Sequence, residues 1–290
     1  MTAMITPFHN GKLALDDLAA FTEHQIRNGI DGLAAVGTTG ESSTLSVEEQ
    51  IDAVRCVVDT ANGRVPVIAG AGANSTAEAL HLTKLAGETG VDGFLHVAPY
   101  YNKPTQEGLY RHFSVIAEAT DKPIVLYSIP SRCGVEIGVE TVARLRDRYP
   151  HVDHIKEAGG SCDRVDRLRE ALGDAVTILS GDDSMTLPFI ALGARGVISV
   201  AANLVVADLV AMVRAALDND FETARTIHRR YYPLFKDLFI ESNPVPVKAA
   251  LARAGTIASE EVRLPLAPMG DGNRAILEGT LDLLEKVPAE

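Results

Sequence analysis

The residue in this chain best suited to covalent chemistry is Lys156, in the stretch Val152-Asp153-His154-Ile155-Lys156-Glu157-Ala158-Gly159-Gly160. A short apolar run ends at the lysine, and two glycines follow before a polar helix. That is the pattern of a buried strand whose last residue points out of the sheet end. Burial disfavours an ammonium, so a lysine held there has a lowered pKa and a free amine able to attack a ketone. A surface lysine at a loop mouth is the plainer reading of this stretch on its own. The ends of the other apolar runs bear on that choice. Thr38 and Thr39 lie between Gly37 and Gly40, Tyr100 and Tyr101 follow a second run, Tyr127 closes a third, and Arg132 lies just beyond it. Flanking glycines let the backbone approach a ligand, and hydroxyls with free N–H groups suit a carboxylate. Singly, these are a turn, packed tyrosines and a solvated arginine. Together they fit Schiff-base formation with a 2-oxo acid: the amine attacks the ketone, the threonines hold the carboxylate, and a tyrosine moves protons. The imine is itself the electron sink, so no cofactor is expected. No His/Asp/Glu cluster with metal spacing accompanies them, which disfavours a metal-assisted aldolase.

Such residues need elements that bring them together. Candidate strands cover residues 3–6, 32–36, 65–70, 93–97, 124–127, 152–156, 176–180 and 196–200. Helical patterns follow them, one from about Asp16 to Asn28, one opening at Ser46 with Glu49 at capping-box spacing, and one starting near Ser75-Thr76. Eight strand-then-helix units of about 25 to 30 residues predict a parallel (β/α)8 TIM barrel, whose chemistry sits at the C-terminal strand ends. An open doubly wound sheet is the rival, but its first-strand glycine fingerprint is absent. Residues 1–225 are expected to form the catalytic barrel and residues 226–290 a C-terminal helical region. The helices there break at Pro244 and Pro246, and a last one covers about 273–286.

With 290 residues and 46% hydrophobic content, the chain can bury a large core, and its 23% charged fraction gives no sign of disorder. The formal charge of -12 argues against nucleic acid and anionic membrane surfaces. No apolar run approaches the roughly 20 residues of a membrane span, and the N-terminus lacks a signal-peptide pattern. Cys56, Cys133 and Cys162 are far apart, without metal or redox spacing, as reduced cytoplasmic cysteines would be.

Six stretches, in this order and spacing, resemble one family over nearly the whole chain. They are Gly37-Thr38-Thr39-Gly40-Glu41, Pro99-Tyr100-Tyr101-Asn102-Lys103-Pro104, Leu126-Tyr127, Ile155-Lys156-Glu157, Ser180-Gly181-Asp182-Asp183 and Gly196-Val197-Ile198-Ser199-Val200. The family is the dihydrodipicolinate synthase / N-acetylneuraminate lyase group, class I aldolases on a (β/α)8 barrel. The stretch Tyr127 to Gly134 resembles its synthase branch, in which the arginine binds the carboxylate of L-aspartate 4-semialdehyde. The resemblance implies that Lys156 forms the imine with pyruvate. It makes Tyr127 the acid/base, linked through Thr39 to Tyr101, which would reach a neighbouring subunit's site. It implies that Thr38, Thr39 and the backbone at Gly181 and Ile198 line the pyruvate pocket, with Arg132 taking the second substrate. The implied product is 4-hydroxy-tetrahydrodipicolinate, towards lysine and diaminopimelate, and the implied assembly is a homotetramer of two tight dimers. A lysine effector site is implied at Ser43, Asn74, Glu78 and Tyr100. Val47 and Gln50 stand where lysine-sensitive members carry histidines, so weak or absent inhibition is expected.

Other readings differ at named residues. Another pyruvate-dependent lyase, acting on N-acetylneuraminate, a 2-oxo-3-deoxy sugar acid or a hydroxyproline-pathway compound, would not need Arg132. A catalytically silent 2-oxo-acid-binding barrel would not need Lys156. A phosphate site near Gly181, Gly193 and Gly196 would be repelled by Asp182 and Asp183. His154 is read as a packed or hydrogen-bonded histidine, Glu41 as favouring a helix N-terminus, and Lys248 as no nucleophile because no strand delivers it.

Overall fold

The computed structural model describes residues 1–286; the last four residues of the expected 226–290 region lie outside them. Seven parallel strands neighbour one another in chain order and curl into one sheet. They are Thr2–Ala3, Leu33–Ala35, Val67–Gly70, Gly93–Val97, Ile124–Ser128, His154–Glu157 and Thr177–Ser180. Their residues are almost all buried, as expected for short apolar runs covered on both faces. Helices cover the outside, and Ala3, Ala34, Ile68, Leu95, Val125, Tyr127 and Ile198 pack together on the inside.

The expected eighth strand, 196–200, forms no ladder. It joins the two sheet edges by isolated bridges, Val197 with Ser180 and Ser199 with Thr2. Ile198 N–H donates to the Ser180 carbonyl at 2.9 Å, and Ala3 N–H to the Ser199 carbonyl at 2.8 Å. Pairing stops there because the next polar groups have another partner. Asp183 accepts from the Ser199 hydroxyl and from the Val200 and Ala201 N–H groups, at 3.1 and 2.9 Å for the two amides. The chain then turns into the short helix Ala201–Asn203.

Helix starts follow their capping residues. Ser46 accepts from Glu49 N–H at 3.2 Å and returns its own N–H to the Glu49 carboxylate at 3.0 Å, opening Val47–Ala61. Ser75, Thr105 and Ser161 cap Thr76–Gly87, Gln106–Ala117 and Cys162–Leu172, and each such cap stabilises by about 1 kcal/mol. A hairpin, Phe8–His9 with Lys12–Leu13, was not expected. Its signal is Asn10-Gly11, both at positive φ, 51° and 75°.

The helix Phe221–Asp237 runs across residues 225 and 226, and its Ala224, Leu234 and Phe235 share one apolar cluster with Leu33, Val36 and Val200. Val245–Arg253 follows a break at Pro244; Pro246 lies in its first turn, where a missing N–H costs nothing. Asp271–Lys286 ends the described chain. No described helix is long and apolar enough to cross a membrane.

Candidate active site

Register brings the two central groups together. Tyr127 and Lys156 are direct partners on adjacent parallel strands, so their side chains leave the same face. Both point into the sheet's interior, with the Lys156 Nζ 4.2 Å from the Tyr127 ring centre. Lys156 is only 5% exposed. Arg164 and Lys248, the other deeply buried cations, meet carboxylate oxygens at 2.6 and 2.7 Å, whereas Lys156 has no ion pair among the described residues. Its pKa is lowered to about 8, chiefly by desolvation; Asp183 opposes the fall and Arg132 adds to it. At pH 7 about a tenth of such a lysine is free amine, against about 3 in 10,000 at the ordinary value of 10.5. Burial likewise pushes Tyr127 up to about 12, so its phenol stays protonated at neutral pH and can donate.

These residues face a cavity of about 450 Å³ including its open mouth. Thr38, Thr39, Ile129, Arg132, Gly181 and Asn243 complete most of its wall. The turn that carries the threonines is closed on itself: Gly40 and Glu41 N–H donate to the Gly37 and Thr38 carbonyls, each at 3.1 Å. The N–H groups of Thr38 and Thr39 have no partner among the described residues, which leaves two donors for an anion.

The side chains of Thr38 and Thr39 have different neighbours. The Thr38 side chain lies beside Tyr127 and lowers its pKa against the larger effect of burial. Thr39 instead accepts from Asn243 Nδ2 at 2.9 Å. Successive residues of a turn aim their side chains differently. Asn243, contributed by the C-terminal helices, is a wall residue that strand reasoning could not find. Its Oδ1 is buried without a partner.

Arg132 follows Tyr127 on the short helical turn Pro130–Cys133 and lies exposed at the mouth. Gly181 is required by space: a Cβ there would lie 2.6 Å from Ala158 Cβ and 3.2 Å from Lys156 Cε. Ile198 is fully buried beneath the cavity with its N–H committed to Ser180, and Val200 is the wall residue from that segment. Tyr101 is 90% exposed with φ of 74° and does not reach Tyr127 within this chain. Asn74, Glu78 and Tyr100 lie close together: burial first and then Glu78 raise the Tyr100 pKa, and the Asn74 backbone opposes the rise. No contact joins Ser43 to them among the described residues. Gln50 is buried, donating to the Ser42 and Leu45 carbonyls at 3.2 and 3.4 Å.

Two neighbours of the lysine matter differently. His154 binds Asp153 at 2.6 Å and lines a separate groove, away from the cavity. Glu157, on the opposite face from Lys156, accepts from Arg164 Nε at 2.6 Å and from Gly159 N–H at 2.7 Å. This pair pins the loop that leaves the strand just after the lysine. Its sequence signal, an acid and a base seven residues apart, is too common to notice.

Residues 1–283 match the Dihydrodipicolinate synthetase family. A 4-hydroxy-tetrahydrodipicolinate synthase of Persephonella marina is 50% identical over 281 residues, covering 97% of this chain and 96% of the relative. One from Methanocaldococcus jannaschii is 50% identical over 280 residues, covering 96% of each. The solved 4-hydroxy-tetrahydrodipicolinate synthase of Methylacidiphilum fumariolicum SolV superposes with a TM-score of 0.96 at 54% identity, covering 98% of this chain and 95% of that one.

Proposed function

We propose that this chain, which belongs to the dihydrodipicolinate synthetase family, condenses pyruvate with L-aspartate 4-semialdehyde to 4-hydroxy-tetrahydrodipicolinate, a step towards lysine and diaminopimelate. The observation that carries the reading is Lys156: buried, without an ion pair among the described residues, and beside a protonated tyrosine in a small, largely apolar cavity.

Pyruvate's carboxylate accepts from the Thr38 and Thr39 N–H groups and hydroxyls, which aims its ketone at the lysine. The Lys156 amine forms the C–N bond to C2; Tyr127 donates a proton to the oxygen that departs as water, leaving the iminium. The Tyr127 oxygen, having given up its proton, takes one from the methyl group to leave the enamine; the enamine carbon attacks the semialdehyde carbonyl, and Tyr127 passes that proton to the new alkoxide. The semialdehyde's amine then displaces Lys156 from the imine and closes the ring. Arg132 at the mouth pairs with the semialdehyde carboxylate, and the unpartnered Asn243 Oδ1 is the acceptor available to its amino group. The imine serves as the electron sink, so the reading calls for no further cofactor.

The same reading closes the sheet as a (β/α)8 barrel through 196–200, with residues 1–225 as its catalytic part and 226–290 packed upon it. It sends the exposed Tyr101 into the site of a second copy, in a dimer that pairs again into a tetramer. Asn74, Glu78 and Tyr100 form the effector corner, and inhibition by lysine is weak or absent because Gln50 is spent on the loop before it.

The test is mass spectrometry after hydride reduction with pyruvate, with Lys156→Ala as control, and turnover of the semialdehyde. A pyruvate adduct on Lys156 with turnover supports the reading. An adduct without turnover moves it to a lyase of another aldehyde, and no adduct overturns it.

A further inference from the structure

The Thr38–Thr39 turn is flanked by two residues in an unfavourable conformation. Val36 and Glu41, neither of them glycine, have φ of 56° and 55°. Such residues persist only where their surroundings fix them, and they cluster where geometry matters for function. At the first end, the Val36 carbonyl lies so close to Gly70 that a Cβ on that glycine would be 2.2 Å from the oxygen. Packing alone holds this end.

The second end is held from far along the chain. Glu41 Oε1 accepts from Lys248 Nζ at 2.7 Å, and Oε2 accepts from Arg263 N–H at 3.0 Å. Lys248 Nζ also donates to the Thr6 carbonyl at 2.9 Å, while the Thr6 hydroxyl donates to the Gly40 carbonyl at 2.8 Å. The Lys248 and Glu41 side chains are 0% and 1% exposed. Well-packed apolar side chains serve stability as well as a buried ion pair does, and often better. What they lack is direction: a carboxylate that takes an ammonium on one oxygen and an N–H on the other fixes the backbone at residue 41. That backbone begins one residue after the last glycine of the turn.

We propose that Lys248 and Glu41 are a positioning pair for the pyruvate-binding turn. Through them the helix Val245–Arg253 sets where the Thr38 and Thr39 donors stand. The inference rests on the reading that this turn holds the pyruvate carboxylate. The pair touches neither substrate, so its effect falls on pyruvate affinity, with the plateau rate and semialdehyde affinity spared.

Adduct formation at Lys156 is followed against pyruvate concentration, together with semialdehyde kinetics and thermal unfolding, in the full chain and in Glu41→Gln. The expected result is a rise of about tenfold or more in half-saturating pyruvate, with the plateau rate and the semialdehyde KM within about twofold. Should Glu41→Gln not fold, the double variant Glu41→Leu with Lys248→Met removes both charges and leaves no unpaired ion. A folded double variant is expected to show the same selective loss. Half-saturation within about twofold of the unaltered chain, in either folded variant, overturns the proposal. A parallel loss of pyruvate affinity, semialdehyde affinity and plateau rate also overturns it, because general loosening has that signature. Absence of any Lys156 adduct in the unaltered chain overturns the reading of the pocket, and the pair's role with it.

Discussion

Replacing Lys156 by methionine should make the folded protein more stable at pH 7 while abolishing the pyruvate adduct. The lysine is buried and its pKa falls from 10.5 to about 8, a change that corresponds to about 3 kcal/mol of unfavourable burial of the charged form. Methionine fills similar space without the charge. Below pH 8 the lysine is protonated in both folded and unfolded states, and the full cost is present. Between pH 8 and 10.5 the folded state has released the proton and the unfolded state has not. Stability of the unaltered protein therefore rises with pH through that window, and its gap to the variant closes. Urea unfolding at fixed protein concentration, in steps from pH 6.5 to about 10.5, measures the gap directly. The adduct supplies a second arm. The rate of trapping with cyanoborohydride should climb about tenfold per pH unit up to about pH 8 and then level, following the free amine. A variant no more stable than the unaltered chain at pH 7, or a gap unchanged up to pH 10.5, refutes the argument. So does a trapping midpoint near the ordinary lysine value.

Three further outcomes follow from distances and directions in the cavity. Gly181→Ala places a methyl group against Ala158 and the Lys156 stem, so adduct formation should slow about a hundredfold with the circular dichroism spectrum retained; a normal rate would show that the lysine has room to spare. Thr38→Val should lower kcat about a hundredfold by removing the hydroxyl beside Tyr127, while Thr39→Val acts mainly on pyruvate KM; the opposite result would assign the relay to Thr39. Arg132→Met should raise the semialdehyde KM at least tenfold and leave pyruvate half-saturation near its original value, which separates the mouth from the floor. The same variant removes a cation that lowers the lysine's pKa, so the trapping midpoint should move upward.

Much of this protein was legible along the chain. Alternating apolar runs and capped helical patterns gave seven strands in order, because short buried strands and serine caps are written in consecutive residues. Lys156 stood out because a cation rarely ends an apolar run, and Tyr127 and Arg132 because they follow another. The eighth segment pairs only by isolated bridges for a reason outside it: Asp183, sixteen residues before Ser199, takes groups that a longer ladder would have paired. That competition has no periodic signature.

What tertiary structure alone decided is which groups meet. Tyr127 faces Lys156 because two strands, 29 residues apart in sequence at that point, pair in that register and no other. Thr38 lies beside the tyrosine while Thr39 meets Asn243, because a tight turn sends adjacent side chains in different directions, and no composition records those directions. Asn243 reaches Thr39 across 204 residues and Lys248 reaches Glu41 across 207. Sequence dictates local conformation through neighbours, whereas these contacts arise only when the C-terminal helices dock. The chain therefore names its candidate nucleophile openly and leaves the shape of the cavity around it to packing.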